Sequence, residues 1–340
     1  MTTLVIQIPA YNESETLPEV LEALPRQIDG VDDIKVLVVD DGSSDDTASI
    51  ALEHGADFVL RHLANRGLSR SFIDGIEFSL ALGADVIVNT DADHQYPGEA
   101  IPALIQPILA HRADLTIGDR QLEKNSHFSP FKRWLEALGT AIVRNTSSTH
   151  VKDAASGFRA YSRHAALPLE VYNPYSYTLE TLIQAGKSRL KIVDVPITTN
   201  PMKRESRLHK GIFHFIYHQA GAIIRSNVLY QPLRTFLSVG LLSIIIGIFP
   251  IARFLYFYFT QASSGHLQSL SLGTTLVIIG ISLTIIGFLS DSMRANRQLT
   301  EATLIYLRDA RKIEDPENLT QFLGQPVYTK DHPYTPVHKG

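Results

Sequence analysis

The sequence predicts an α/β fold, an open parallel sheet flanked by helices, placed ahead of two apolar segments of membrane-spanning length. Three observations predict it. Short β-branched runs alternate with segments of helical spacing through the first half of the chain. Two acidic clusters close apolar runs, in "VLVVDDGSSDDT" (36–47) and "VIVNTDADHQYP" (86–97). Composition then divides sharply: residues 1–210 read as soluble, whereas 235–290 are mostly apolar.

Taken in order, "TLVIQI" (3–8), "IKVLVV" (34–39), "DFVL" (57–60), "DVIVNT" (85–90) and "DLTIG" (114–118) read as strands. Between them, 13–24, 46–55, 69–83 and 98–111 have helical spacing. Strands separated by such helices build parallel sheets with right-handed crossovers, and these sheets bind ligands beyond the carboxyl ends of their strands. Both acidic clusters fall at such ends. No G-x-G-x-x-G follows the first strand, so the dinucleotide-binding signature is missing. Further on, 131–148 reads as helix and 188–201 as strand, the acceptor side of a cleft.

Composition narrows the function. The chain of 340 residues carries 35 acidic and 31 basic side chains, a formal charge of −4, which gives no nucleic-acid footprint. With no cysteine, disulfides, thiolate zinc sites and cysteine nucleophiles are excluded. The N-terminus lacks the charged region of a signal peptide.

Residues 211–232 mix aromatic, aliphatic and polar side chains and suit an amphipathic helix in a membrane interface. The segment 233–291 then predicts a transmembrane hairpin. Its spans are 235–259, charged only at Arg253, and 271–290, which has no charge. Arg225 and Arg234 precede the hairpin and Arg294 and Arg297 follow it. The positive-inside rule therefore places both termini in the cytoplasm; the expected location, the inner membrane of a bacterium, is what the resemblance given below implies. Residues 292–340 are expected to form a polar cytoplasmic tail, so that deleting 233–340 spares nucleotide binding. Two spans are too few for transport without a homo-oligomer.

Asp91 and Asp93, at the end of a strand, offer hard oxygen ligands. Mg2+ or Mn2+ takes one or two such carboxylates and completes its shell with substrate phosphates. A lone D-x-D is common by chance, but "IPAYNESETL" (8–17), "VVDDGSSDDT" (38–47), "NTDADHQYP" (89–97) and "DAASGFRAY" (153–161) occur together. In order and spacing they resemble the family-two glycosyltransferases, and within these the polyprenyl-phosphate glycosyltransferases, including dolichol-phosphate mannose synthases and bacterial two-span homologues.

The resemblance covers residues 3–210 and implies a GT-A fold, with an open, mixed, mostly parallel sheet. It implies a nucleotide-sugar site lined by Pro9, Ala10, Tyr11, Glu13, Asp40, Asp41 and Asp91, with Asp41 accepting from the base. Asp91, Asp93 and Gln95 match the metal-binding set. Arg120, Ser156, Arg159, Arg204 and Arg207 match positions that meet the acceptor phosphate. Asp91, Asp93, Arg120, Asp153 and Arg159 carry the chemistry, with Asp153 as an orienter rather than a base. The implied reaction is inverting transfer of a hexose, from a UDP-hexose by preference, to an undecaprenyl- or dolichyl-type phosphate at the lipid bilayer. Competing readings are a same-fold transferase with another lipid or glycan acceptor, and a catalytically silent nucleotide-sugar-binding membrane subunit. The chain departs from the family pattern at "NRGLS" (65–69), where a lysine is missing and Arg66 or Arg70 is the substitute. It departs again at His94 and at Arg207.

Overall fold

The computed structural model describes residues 1–121, 151–171, 177–200, 232–261, 267–316 and 319–334. They divide into two compact units, one drawn from Met1–Ala222 with Thr303–Gly340, the other from Ile223–Ala302. The expected helix at 131–148, the interfacial segment at 211–232 up to residue 231, and Arg204 and Arg207 lie outside the described residues.

The first unit is built on a mixed sheet. Its strands are β1 (Thr3–Ala10), β2 (Asp33–Asp40), β3 (Phe58–Arg61), β4 (Val86–Asn89), β5 (Leu115–Asp119), β6 (Arg159–Ser162), β7 (Ile192–Pro196), β8 (Gln321–Phe322) and β9 (Gln325–Tyr328). They stand in the order β7-β5-β6-β4-β1-β2-β3-β9-β8. Strands β4, β1, β2 and β3 run parallel, as do β5 and β7. β6 is antiparallel to both of its neighbours, β4 and β5. Central strands covered on both faces need apolar side chains on both. β1 accordingly buries every residue after Thr3.

One face carries α1 (Leu17–Glu22), α2 (Thr47–Glu53) and α4 (Ile101–Leu109), whose Leu17, Leu21, Ala48, Leu104 and Ile105 pack with Leu4, Ile6 and Ile8 of β1. The other face carries α3 (Leu68–Ala81), α5 (Arg163–Ala166) and α6 (Tyr177–Lys187). There Phe72 stacks on Tyr177, with ring centroids 4.3 Å apart.

Several boundaries differ from expectation. Helix α1 starts at Leu17 rather than residue 13, with Pro18 in its first turn, a position where proline's missing N–H costs no hydrogen bond. The residues before it are drawn off to the loop after β2. The run expected as strand from 188 is strand only over Ile192–Pro196, because Ser188 closes α6 by donating to the Gln184 carbonyl (2.9 Å) and Arg189 turns with φ 56°.

The largest difference lies at the C-terminus, where a polar tail was expected. Arg308, 5% exposed, donates to the carbonyls of Leu167 (2.9 Å) and Leu169 (2.8 Å) and pairs with Glu77 (2.9 Å). Asp309 pairs with Arg163 (2.8 Å), and the Ile313 amide donates to the Ala81 carbonyl (3.0 Å). Strand β9 then pairs with β3. These residues are polar in composition because they coat the sheet unit, and deleting 233–340 would strip that coat away.

The second unit holds α7 (Pro232–Gln261) and the part of α8 (Leu267–Ala310) up to Ala302. Both helices are long and apolar enough to cross a membrane, each with a mean hydropathy of 2.3 over its most apolar stretch. They contain the expected spans 235–259 and 271–290. The helices meet along a seam of glycines: a Cβ on Gly240 would lie 2.8 Å from the Gly280 carbonyl, and one on Gly247 would lie 2.9 Å from that of Gly273. Such small residues let backbones approach closely where hydrocarbon offers no hydrophobic drive. Ile245, Phe249, Ile278 and Phe288 stay exposed on the outer faces.

Candidate active site

The carboxyl ends of β1, β2, β4 and β5 lie at one end of the sheet. β6 starts there too, because Arg159 pairs with Asn89 at the close of β4. Pro9 and Ala10 finish β1 inside the sheet, and Tyr11 follows, 42% exposed. Asn12 turns with φ 53°, and its amide donates to Ser43 Oγ (2.9 Å) while its side-chain oxygen accepts from the Ser44 amide (2.9 Å). The Glu13 amide donates to Thr47 Oγ1 (2.9 Å). These bonds stitch the β1 loop to the β2 loop. Asp45 accepts from the Thr47 amide (3.1 Å), a side-chain turn just ahead of α2.

Asp40 and Asp41 are both buried. Asp40 accepts from the Ser43 amide (3.0 Å) and lies 3.4 Å from Arg61 Nε. Burial still pushes its carboxyl above the usual range. Asp41 accepts from the amides of Arg66 and Gly67 (2.8 Å each) and contacts His62 Nδ1 at 2.7 Å. Its place is therefore the cage of the 62–67 loop. The other nitrogen of the buried His62 meets Asp74 at 3.1 Å, and Asp74 Oδ2 also accepts from Arg66 (3.2 Å) and from Arg70 Nε (3.0 Å). Burial pulls the His62 pKa down, but its hydrogen bonds to Asp41 and Asp74 prevail and raise it. Arg66 and Arg70 are thus both tied to Asp74. His62 and Asp74 were not singled out in the sequence, although an aspartate among Phe72, Ile73 and Ile76 of an apolar helix face is a signal.

At the end of β4, Asp91 and Asp93 are half-buried. The Asp91 carboxylate lies against Gly157: a Cβ there would sit 3.1 Å from both its oxygens and 2.8 Å from the Tyr177 hydroxyl. Burial, then the charge of Asp93 and that of Glu13, outweighs the opposing charges of Arg120 and Arg159 and pushes the Asp91 pKa up to about 7. Asp93 Oδ1 accepts from the Gln95 amide (3.0 Å), a turn that puts His94 at φ 58°. The His94 carbonyl accepts from Asn200 (3.0 Å). Tyr96 accepts from the Gly157 amide (3.2 Å) and stacks on Phe158. Thr16 Oγ1 lies 2.8 Å from both Glu13 Oε2 and the Ala92 carbonyl.

The segment 153–159 acts differently from expectation. Asp153 takes a bidentate grip from Arg120, at 2.6 and 2.9 Å, with both side chains buried. Asp153 therefore orients Arg120. Arg159 is fully buried, and four N–H···O bonds tie it to Ser156 O, Thr178 O, Thr181 Oγ1 and Ala154 O at 2.7–2.9 Å. A guanidinium has five N–H donors. One donor remains, and the four bonds make Arg159 a brace between the 154–156 loop and α6. Ser156 is fully buried as well and gives its amide to Asp153 (3.1 Å).

Among the described residues no three histidine, aspartate or glutamate side chains form a ready-made metal cage. The donor set is instead two neighbouring carboxylates, one held partly dehydrated among like charges. That fits a cation sharing its shell with phosphate oxygens, not a closed structural site.

A layered α/β unit with acidic groups at the ends of its parallel strands defines the nucleotide-diphospho-sugar transferase class, the GT-A fold. Residues 5–167 match the glycosyl transferase family 2 description. The chain is similar to a dolichol-phosphate mannosyltransferase of Pyrococcus furiosus, 35% identical over 62% of this chain and 61% of that protein. It is also similar to an undecaprenyl-phosphate mannosyltransferase of Micrococcus luteus, 31% identical over 60% and 87%. The structure of glucosyl-3-phosphoglycerate synthase from Mycobacterium tuberculosis, in complex with Mn2+, UDP-glucose and phosphoglyceric acid, shares the fold. Its TM-score is 0.50 at 22% identity over 67% of this chain and 79% of that one. The chain belongs to glycosyltransferase family 2 and is a glycosyltransferase.

Proposed function

We propose that this enzyme transfers a hexose, with inversion, from a nucleoside-diphosphate sugar to a polyprenyl phosphate. The observation that supports it most is the convergence of Asp91 and Asp93 with an Arg120 held in orientation by Asp153. Asp91, Asp93 and Gln95 would hold Mg2+ or Mn2+, which neutralises the departing diphosphate. Glu13 and the exposed Tyr11 line the nucleoside side, with Pro9, Ala10, Asp40 and Asp41 shaping its floor. Arg120, buried and fixed, presents a positive charge to the phosphates without reorganising.

A phosphate oxygen of the acceptor attacks the anomeric carbon as the bond to the diphosphate breaks, and the diphosphate leaves with the electron pair. The acceptor is already an anion, so no strong base is needed, and positioning carries the reaction. The two named relatives support the lipid acceptor. The two apolar helices would anchor residues 1–210 in the inner membrane beside the acceptor headgroup, with both termini cytoplasmic, and raise its effective concentration. The proposed donor is a UDP-hexose, with a GDP-hexose as its competitor.

The test incubates the full-length protein with a panel of UDP- and GDP-sugars, undecaprenyl phosphate and Mn2+, and weighs the glycolipid by mass spectrometry. One donor should give a sugar-phosphate lipid, and EDTA should abolish it. Product that persists in EDTA would refute the cation, and product only on a non-phosphorylated acceptor would refute the lipid phosphate.

A further inference from the structure

The residues that follow α8 reach both loops framing Asp40 and Asp41. β9 lies beside β3, pairing Tyr328 with Val59 and Val327 with Leu60. The Gln325 side-chain oxygen accepts from the Leu63 amide (3.1 Å), at the head of the loop whose next amides hold Asp41. The Tyr334 ring lies under the Arg61 guanidinium, 4.3 Å from carbon to centroid, and meets Tyr328 edge-on at 5.2 Å. Arg61 donates to the Ser43 carbonyl (2.9 Å) and neighbours Asp40. Ser43 and Ser44 in turn fix Asn12, next to Tyr11. One continuous set of contacts therefore runs from the C-terminal segment to the loops at the ends of β1, β2 and β3.

We infer that the segment Gln325–Tyr334 is a positioning element for the nucleoside end of the donor, acting through Arg61 and Leu63. This rests on the reading of the donor site given above. An arginine side chain has many rotamers, and the ring selects one by covering a guanidinium face, an attraction that grows as water is excluded. With Arg61 fixed, the Ser43–Ser44 turn and the Asp40 carboxylate keep their places. Gln325 does the same for the 62–67 loop by holding its first amide. Neither Gln325 nor Tyr334 needs to touch the donor.

The test uses the full-length protein in detergent and titrates UDP and GDP calorimetrically in the presence of Mn2+. Tyr334→Leu should weaken the preferred nucleotide roughly fivefold or more, the size of a partly dehydrated cation–π contact. Tyr334→Phe keeps the ring and should stay within about twofold of the wild type, since the cation faces the π-system. Gln325→Ala should weaken binding in the same direction, and melting midpoints of all three variants should match the parent. Unchanged affinity in both Tyr334→Leu and Gln325→Ala overturns the inference and leaves the donor site standing. A phenylalanine variant as defective as the leucine one, with a lowered midpoint, overturns it in favour of a purely structural role. Failure of the wild type to bind either nucleotide overturns the donor-site reading and this inference with it.

Discussion

Two acidic pairs close two parallel strands of the same sheet, and they meet opposite fates. Asp40 and Asp41, after β2, are enclosed by the amides of Ser43, Arg66 and Gly67, by the Arg61 guanidinium and by the His62 imidazole. Asp91 and Asp93, after β4, face each other and Glu13, and burial with that repulsion outweighs Arg120 and Arg159. Asp41 has its compensation within the fold, Asp40 is raised by burial in spite of Ser43 and Arg61, and Asp91 lacks enough compensation. Carboxylates satisfied by the chain itself build a wall. Carboxylates left in electrostatic debt are poised to take a cation from outside.

The comparison breaks most sharply by substitution. Asp93→Ala should lower glycolipid formation by about a thousandfold with little change in melting, because it removes charge compensation at the reacting phosphates. Product formation at normal rate would place the metal elsewhere. Asp41→Ala should behave in reverse: it leaves the buried His62 and the part-buried amides of Arg66 and Gly67 without their acceptor and should cost about 3 kcal/mol of stability, read by denaturant unfolding.

A pH series sharpens the contrast. The Asp91 pKa is raised above its unfolded value, so the stability it contributes is complete below about pH 4 and is lost as pH rises through about 7. Without metal, Asp91→Asn should therefore melt higher than the wild type at pH 8, by a smaller margin at pH 5, and similarly only below about pH 4. For the wild type, Mn2+ affinity should climb about tenfold from pH 6 to 8 and level off above, since the metal displaces the proton. A flat profile would show Asp91 already ionised. The smallest effect is expected at Arg66→Ala, whose partly exposed partnership with Asp74 is backed by Arg70 and His62. A shift of about 1 kcal/mol or less in unfolding is predicted.

Much of this contrast was legible in the sequence, and part of it was not. The parallel strands announced themselves by apolar runs, and D-A-D by its place after one. What spacing cannot convey is how many donors reach each oxygen, so the bonds that the fold itself makes with Asp41 and Arg159 were not legible. β6 escaped notice because its four residues begin with a buried arginine and show no clean alternation. The C-terminal strands escaped because "QFLGQPVY" is short and broken by Gly324 and Pro326, and its partner lies more than 250 residues away. Position in three dimensions, not composition, made them part of the sheet.

The pairing of β9 with β3 has a consequence for anyone who shortens this chain. Without it, β3 would be the last strand on its side, presenting a bare row of amides and carbonyls. Such a rim invites another copy to dock by strand addition. A fragment ending before β8 should therefore aggregate, and a soluble catalytic version of this enzyme will need residues 303–334 grafted back to seal that rim.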